Sequence, residues 1–422
     1  MSHQIYRVLF IAPNFPQIGG PESFVNGKLV LGFVKAGWKV DVITICAEKR
    51  VFSTDHSSLW NQLTDITNSV SSGPLWFEKR LKSPLWCFKA YSQARKLIRE
   101  RGYDVVISRS QPIWAHFVAY LVSCTTGIKW VSNWNDPSPQ RRYPKPYGKG
   151  AEAIWPAPLE YLFRKLCMRA SWHTFPCERL RQYMLQYMPT EIGSRSSVIP
   201  HISLHRNRQN NARPISEFAL YHIGSVFYRN YKEFLEGLRQ FVARENQRSP
   251  VSVRFIGWQP ADFLDAVRNH GLQDIVSVED SVQYEDALGI MEAADVLLVI
   301  ESDTEGGIFF PSKVADYVQT CRPILAISPV EGTLRDLFRK CGGGIAVDCK
   351  SPREIAAGLE VLYKSWKKSA LDKDFSTKKL YDNFSERTVI SLYEDIFQRI
   401  GVKPRKREQL LGAEPILDSC RD

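Results

Sequence analysis

The sequence predicts an α/β protein of two doubly wound domains, each a parallel sheet covered by helices. Three observations carry that expectation. The 422 residues suffice for two or three domains of roughly 100–200 residues, each burying its own core. Short apolar runs rich in β-branched residues recur between longer amphipathic stretches, the pattern of strands covered on both faces by crossover helices. The runs fall into two sets of six on either side of a polar break.

The first set occupies residues 8–12, 40–45, 105–108, 129–134, 173–175 and 197–199. The second occupies 218–223, 251–256, 275–278, 296–300, 324–327 and 344–347. Between them, 205–214 (HRNRQNNARP) has no apolar residue beyond one Ala and reads as a linker. Residues 1–204 and 215–374 are therefore the expected domains. Two helical stretches follow, 352–368 and 375–400, and the second is too long for a mere cap. The segment 375–402 is expected to pack back on the first domain, and the tail 403–422, opening with KPRKRE, to be poorly ordered.

Composition excludes several classes. With 44% hydrophobic and 24% charged residues the chain is neither disordered nor fibrous. No run approaches the roughly 18 apolar residues of a membrane span, and the first residues lack a signal-peptide pattern. Nine cysteines, an odd number without a CxxC pair, argue against a disulfide framework or a zinc site. A reducing cytoplasm is the expected location, with any membrane met from its surface. The net charge of +11 is uneven: residues 1–210 carry 28 basic and 13 acidic side chains, residues 211–422 carry 28 and 32. An anionic partner is expected for the first half.

Candidate site residues lie just past strand ends. After the first strand, PNFPQIGGPES places Gly19 and Gly20 before Pro21 and an amphipathic run, so that backbone can approach a ligand at a helix start. This is not the GxGxxG dinucleotide fingerprint, which makes a nicotinamide dehydrogenase improbable. The second half opens alike: a strand ends at Gly224, and Arg229 and Lys232 follow, two cations suited to a diphosphate. In VLLVIESDTEGGIFFPSKVADYVQT, Pro311, Ser312 and Lys313 open a helix whose amides, hydroxyl and ammonium suit one anion. Asp316 shares that helix face and offers a carboxylate to ribose hydroxyls.

Four features together resemble a GT-B glycosyltransferase of the large retaining family 4, of the bacterial polysaccharide and lipopolysaccharide type. They are IAPNFPQIGGPE, SNWNDPSP, YHIGSVFYRN and FFPSKVADYV followed by RPILA, in matching order over residues 5–365. The resemblance implies that Gly19 and Gly20 lie near donor phosphates and acceptor, and that Arg229 and Lys232 bind the donor phosphates. Of the family's two glutamates separated by seven residues, the second falls on Asp316 and the first on Ile308, with Glu305 as a substitute. On the acceptor side it points to Arg109 after the third strand and to Asn135 and Asp136 after the fourth; His116, farther on, reads as a packed helix residue.

Glu301, Asp303 and Glu305 form a competing reading as ligands of a divalent ion. Arg229 and the helix at Pro311 already neutralise phosphate, so neither metal nor cofactor is expected. RRYPKPYGKG, beginning at Arg141, interleaves four cations with aromatics and suits an anionic lipid surface. Nucleic acid is disfavoured because no motif for it accompanies the basic stretch. The expected activity is metal-independent transfer of a sugar, with retention, from a nucleotide-diphosphate sugar to a hydroxyl of a polysaccharide or lipid-linked acceptor. A non-catalytic partner in a polysaccharide assembly complex and a sugar-nucleotide epimerase are the alternatives.

Overall fold

The apolar runs pair as parallel strands in the computed structural model, which describes residues 5–16, 20–45, 61–70, 82–139, 142–150, 156–204, 217–244 and 250–405. The first sheet comprises β1 (Arg7–Ile11), β2 (Lys39–Ile45), β3 (Thr67–Val70), β4 (Val105–Ser110), β5 (Lys129–Trp134), β6 (Trp172–Phe175) and β7 (Ser196–Val198). The second comprises β8 (Phe218–Ile223), β9 (Val251–Ile256), β10 (Val276–Glu279), β11 (Val296–Ile300), β12 (Ile324–Ser328) and β13 (Gly344–Asp348). Their orders, β3-β2-β1-β4-β5-β6-β7 and β10-β9-β8-β11-β12-β13, repeat one topology. Both reverse direction beside their first strand, between β1 and β4 and between β8 and β11, where doubly wound sheets open a crevice at the strands' carboxyl ends.

The twelve expected strands are present, and β3 is added. Its sequence, Thr-Asn-Ser-Val, has no apolar run because it lies at the sheet edge, paired only with β2 and with no residue fully buried. Such an edge needs no continuous hydrophobicity.

Helices cover both faces of the first sheet. On one, α2 (Lys82–Arg101), α3 (Trp114–Thr126) and α4 (Ala157–Arg169) bury Ala94, Leu97, Val118, Val122, Phe163 and Leu166 in a common core. On the other, α1 (Pro21–Lys35) packs with the last helix among the described residues. The expected single helix over 375–400 is instead divided. After α5 (Glu178–Leu185) in the first domain, the second contributes α6 (Tyr231–Arg244), α7 (Phe263–Asn269), α8 (Tyr284–Ala293), α9 (Val314–Thr320), α10 (Thr333–Cys341) and α11 (Pro352–Lys367). The chain then runs through α12 (Leu371–Asp374), α13 (Lys378–Phe384) and α14 (Glu386–Arg399). Ser385 makes the break: its extended backbone leaves the helix, and its hydroxyl accepts the Thr388 amide at 3.3 Å to cap α14.

That bend carries α14 onto the first domain. Tyr393 and Phe397 enter its core beside Tyr6, Phe33 and Trp38, with ring centroids of Tyr6 and Phe397 5.0 Å apart. Each buried ring contributes about 1.5–3 kcal/mol of apolar burial. The two sheets are further joined by Lys28, buried in α1, whose ammonium meets Asp316 of α9 at 2.5 Å. Arg179 of α5 adds pairs to Glu331 at 2.8 Å and Asp336 at 2.5 Å. The expected linker lies outside the described residues, as does the tail beyond Arg405, which itself pairs with Asp104 at 2.8 Å. Among the described residues no helix is long and apolar enough to cross a membrane.

Candidate active site

The carboxyl ends of both sheets face one cavity of about 610 Å³, lined by each domain. On the C-terminal side β8 is followed by Gly224, with φ +95°, where a Cβ would stand 3.5 Å from the Lys313 ammonium. Glycine is needed there for its backbone angle. Lys313 lies 3.1 Å from His222 Nε2. The other imidazole nitrogen, Nδ1, sits 3.0 Å from the Leu298 carbonyl, which only accepts. Nδ1 therefore carries the proton, and Nε2 is free to accept from the ammonium.

Burial and the neighbouring Arg229 push Lys313 down to about 7, against the pull of Glu301. Burial raises Glu301 to about 8, against Arg229 and Lys313. Arg229 is exposed at the rim and donates to the Tyr147 hydroxyl at 2.9 Å. Tyr147 comes from the other domain and also bonds Ser302. This wall is thus cationic, partly desolvated and held from both sides, which suits an anionic ligand.

The N-terminal wall is different. Glu22, in the first turn of α1, accepts from Asn135 Nδ2 at 2.5 Å, while Asn135 Oδ1 accepts from the buried Arg109 at 3.0 Å. Burial raises Glu22 to about 8, with Arg109 opposing and Asp136 adding to the rise. Asp136 is raised to about 6 by burial, against a hydrogen bond from Tyr143. His201, buried against Phe310 with centroids 5.4 Å apart, completes this wall and is held well below the usual imidazole range by burial. Carboxyl, amide and phenol groups suit hydroxyls rather than phosphate.

Of the residues expected from sequence, Gly224, Arg229, Ser312, Lys313, Asn135 and Asp136 line this cavity. Arg109 lies beneath it and acts on it through Asn135. Gly20, with φ +87°, precedes α1, whose Pro21 and Glu22 reach the cavity, and Gly19 lies outside the described residues. Four positions differ from expectation. Lys232 is exposed and paired with Asp262 at 2.9 Å, on a neighbouring cavity of about 480 Å³, because its helical position turns it outward. Asp316 does not line the main cavity: Lys28, Tyr284 at 2.7 Å and Gln319 at 3.3 Å occupy its Oδ1. The short α9 begins at Val314, after Lys313 rather than at Pro311. Glu305 is exposed on the domain seam, its amide donating to the Lys145 carbonyl at 3.1 Å.

Ile308 explains the missing acid. It is buried in the first domain's core with Leu180 and Met184, while the Cys177 thiol meets its carbonyl at 3.3 Å. A carboxylate there would be cut off from water among apolar side chains. Glu301, Asp303 and Glu305 also diverge, Asp303 pairing with Lys350 at 2.9 Å. No group of three or more His, Cys, Asp or Glu among the described residues is arranged to hold a metal ion. His116 is buried, its Nδ1 2.7 Å from Ser108 Oγ. Nor does the basic aromatic loop face outward as a whole. Arg142 is buried and paired with Glu160 at 2.5 Å, and Tyr143 and Tyr147 line the cavity.

Glu22, Tyr143, Tyr147, His201 and His222 escaped the sequence reading as site residues. Four stand inside motifs or loops already singled out, but their partners come from distant segments; His201 carries no local signal.

Residues 18–201 match the family model described as Glycosyltransferase Family 4. No curated protein matches the sequence. A glycosyltransferase from Rickettsia africae is similar in structure, with a TM-score of 0.66, 12% identity, and 94% of this chain and 98% of that one covered. So is sucrose-phosphate synthase from Thermosynechococcus elongatus, at 0.67 and 14% identity, covering 97% and 100%. HepE of Anabaena, solved in complex with UDP, aligns at 0.64 and 13% identity, covering 93% and 100%. Residues 18–201 are thus similar to the Glycosyltransferase Family 4 model, and the chain as a whole has the GT-B fold.

Proposed function

We propose that the protein transfers a sugar from a nucleotide-diphosphate sugar to a hydroxyl of a polysaccharide or lipid-linked acceptor, with retention and without a metal. One observation carries this reading: Arg229 and Lys313 face an uncharged or acidic polar wall across a single interdomain cavity. In this scheme the diphosphate lies against Lys313, the amides near Ser312 and the Arg229 guanidinium. These groups stabilise the charge that develops on the departing diphosphate as the sugar–oxygen bond breaks. His222 and Tyr147 keep the two cations in place. Glu22, Asn135 and Asp136 hydrogen-bond the acceptor, orienting its hydroxyl for same-face attack on the sugar carbon, with the hydroxyl proton passing to the departing phosphate oxygen. Asp316 joins the domains through Lys28 instead of holding ribose. HepE, which shares the fold, has been solved with UDP-glucose. The basic excess of residues 1–210 fits a cytoplasmic-side acceptor displayed at an anionic membrane.

The test is calorimetric titration with UDP-, GDP-, ADP- and TDP-sugars, followed by Arg229→Ala and Lys313→Ala. Each substitution is expected to weaken the preferred donor about tenfold to a hundredfold, as for hydrogen bonds to charged groups. Unchanged affinity in both variants sinks the phosphate assignment. The apolar Ile308 favours a second reading, a non-catalytic donor-binding partner. Tight donor binding with no turnover over a panel of acceptors, and a stable protein partner, would select it. A changed sugar without acceptor would instead identify an epimerase.

A further inference from the structure

Six large apolar side chains stand exposed on the outer face of α2, α3 and α4: Phe88, Trp114, Leu121, Leu159, Tyr161 and Met168. Phe88 is 70% exposed and Tyr161 63%. These helices form one layer. All three bury their inner faces in the same core, and α3 packs against both of the others. The Cys87 thiol of α2 lies 3.9 Å from the Trp114 carbonyl, and Arg169 of α4 donates to the Ser123 carbonyl of α3. Their outward sides therefore make a single surface. Among the described residues, the other exposed large apolar side chains lie on the C-terminal domain.

Charge on this layer is predominantly positive. Helix α2 carries Lys89, Arg95, Lys96 and Arg99, and α4 carries Arg164 and Lys165, while α3 has no Lys, Arg, Asp or Glu between them. The two acids are Glu100 and Glu160, and Glu160 is already paired with Arg142. Exposed rings and aliphatic tips flanked by cations match a bilayer interface. The apolar atoms enter the acyl boundary and the cations stay with lipid phosphates.

We propose that the outer face of α2, α3 and α4 is a docking surface for anionic phospholipid membranes. It rests on the reading of a lipid-linked acceptor and assigns the contact to this helical layer rather than to the loop after Arg141, whose tyrosines turn inward. The N-termini of α3 and α4 lie toward the strands' carboxyl ends, where the cavity opens. Docking there brings the acceptor wall to the lipid headgroups.

The experiment is co-sedimentation of the full chain with vesicles of equal parts phosphatidylglycerol and phosphatidylcholine, and of phosphatidylcholine alone, at low and high salt. Binding is expected to the anionic vesicles and to fall with salt. Phe88→Ser with Tyr161→Ser, and separately Lys96→Glu with Lys165→Glu, are each expected to weaken it about tenfold or more. Trp258→Ser with Val361→Ser, on the other domain, is expected to leave it within about twofold. Circular dichroism and nucleotide affinity of each variant verify folding. No binding by the wild type, face variants that bind as it does, or equal loss in the control pair overturns the proposal. So does a wild-type dimer dispersed by the face variants without vesicle binding, which would make the face a self-association surface. Failure to bind any nucleotide sugar would count against the donor reading alone.

Discussion

The two walls of the cavity occupy equivalent places in equivalent folds, each at the strand carboxyl ends beside its sheet's switch point, yet their chemistry is opposed. The C-terminal wall gathers Lys313 and Arg229 around Glu301, whereas the N-terminal wall gathers Glu22 and Asp136 around Asn135. One scaffold therefore supplies the position and a few side chains decide the ligand. The lesson is that fold alone assigns neither donor nor acceptor.

The strongest way to break the comparison is to place at Ile308 the acid expected there from sequence. If that site belonged to the donor wall, Ile308→Glu would be tolerated and would tighten sugar binding. Its burial in the first domain's core predicts instead a loss of stability on the order of 3 kcal/mol or more, read from the urea midpoint.

The second way uses pH. Lys313, shifted to about 7, loses its charge as pH rises through that value, and Glu301, shifted to about 8, gains one just above it. His222 and Arg229 face Lys313 on its own side, and Glu22, Asp136 and His201 across the cavity. Both changes disfavour an anion, so affinity for a nucleotide sugar should fall between pH about 7 and 9, by up to about tenfold per pH unit for each proton linked. Binding between pH about 7 and 9 should take up protons, seen as a dependence of the calorimetric heat on buffer. Lys313→Arg should flatten the lower part of the fall and Glu301→Gln the upper part. A pH-independent affinity would show that the diphosphate does not meet this wall.

The smallest effect is expected at Lys232. Its exposed pair with Asp262 predicts that Lys232→Ala changes stability and nucleotide affinity by no more than about 0.5 kcal/mol. A large loss of affinity would enlarge the donor wall to include the neighbouring cavity.

What could be read from the sequence divides along the same line. The paired sheets were legible because their central strands are buried and apolar on both faces, whereas β3, at an edge, could be polar and went unseen. Arg229 and Lys313 were legible as cations placed just past strand ends. Asp316 was misplaced because its partner, Lys28, lies 288 residues away, and nothing local reveals a cation buried in α1. Glu22 and His201 likewise acquire meaning only when residues from separate strands surround them.

Helix α14 has a consequence for how this protein is made. The first domain is translated first, but Tyr6, Phe33 and Trp38 wait for Tyr393 and Phe397, which follow the whole second domain, to close their core. The N-terminal half must leave the ribosome with an uncovered apolar groove and keep it uncovered until α14 has emerged. Its final packing is thus set by the arrival of that helix, after the second domain has been made.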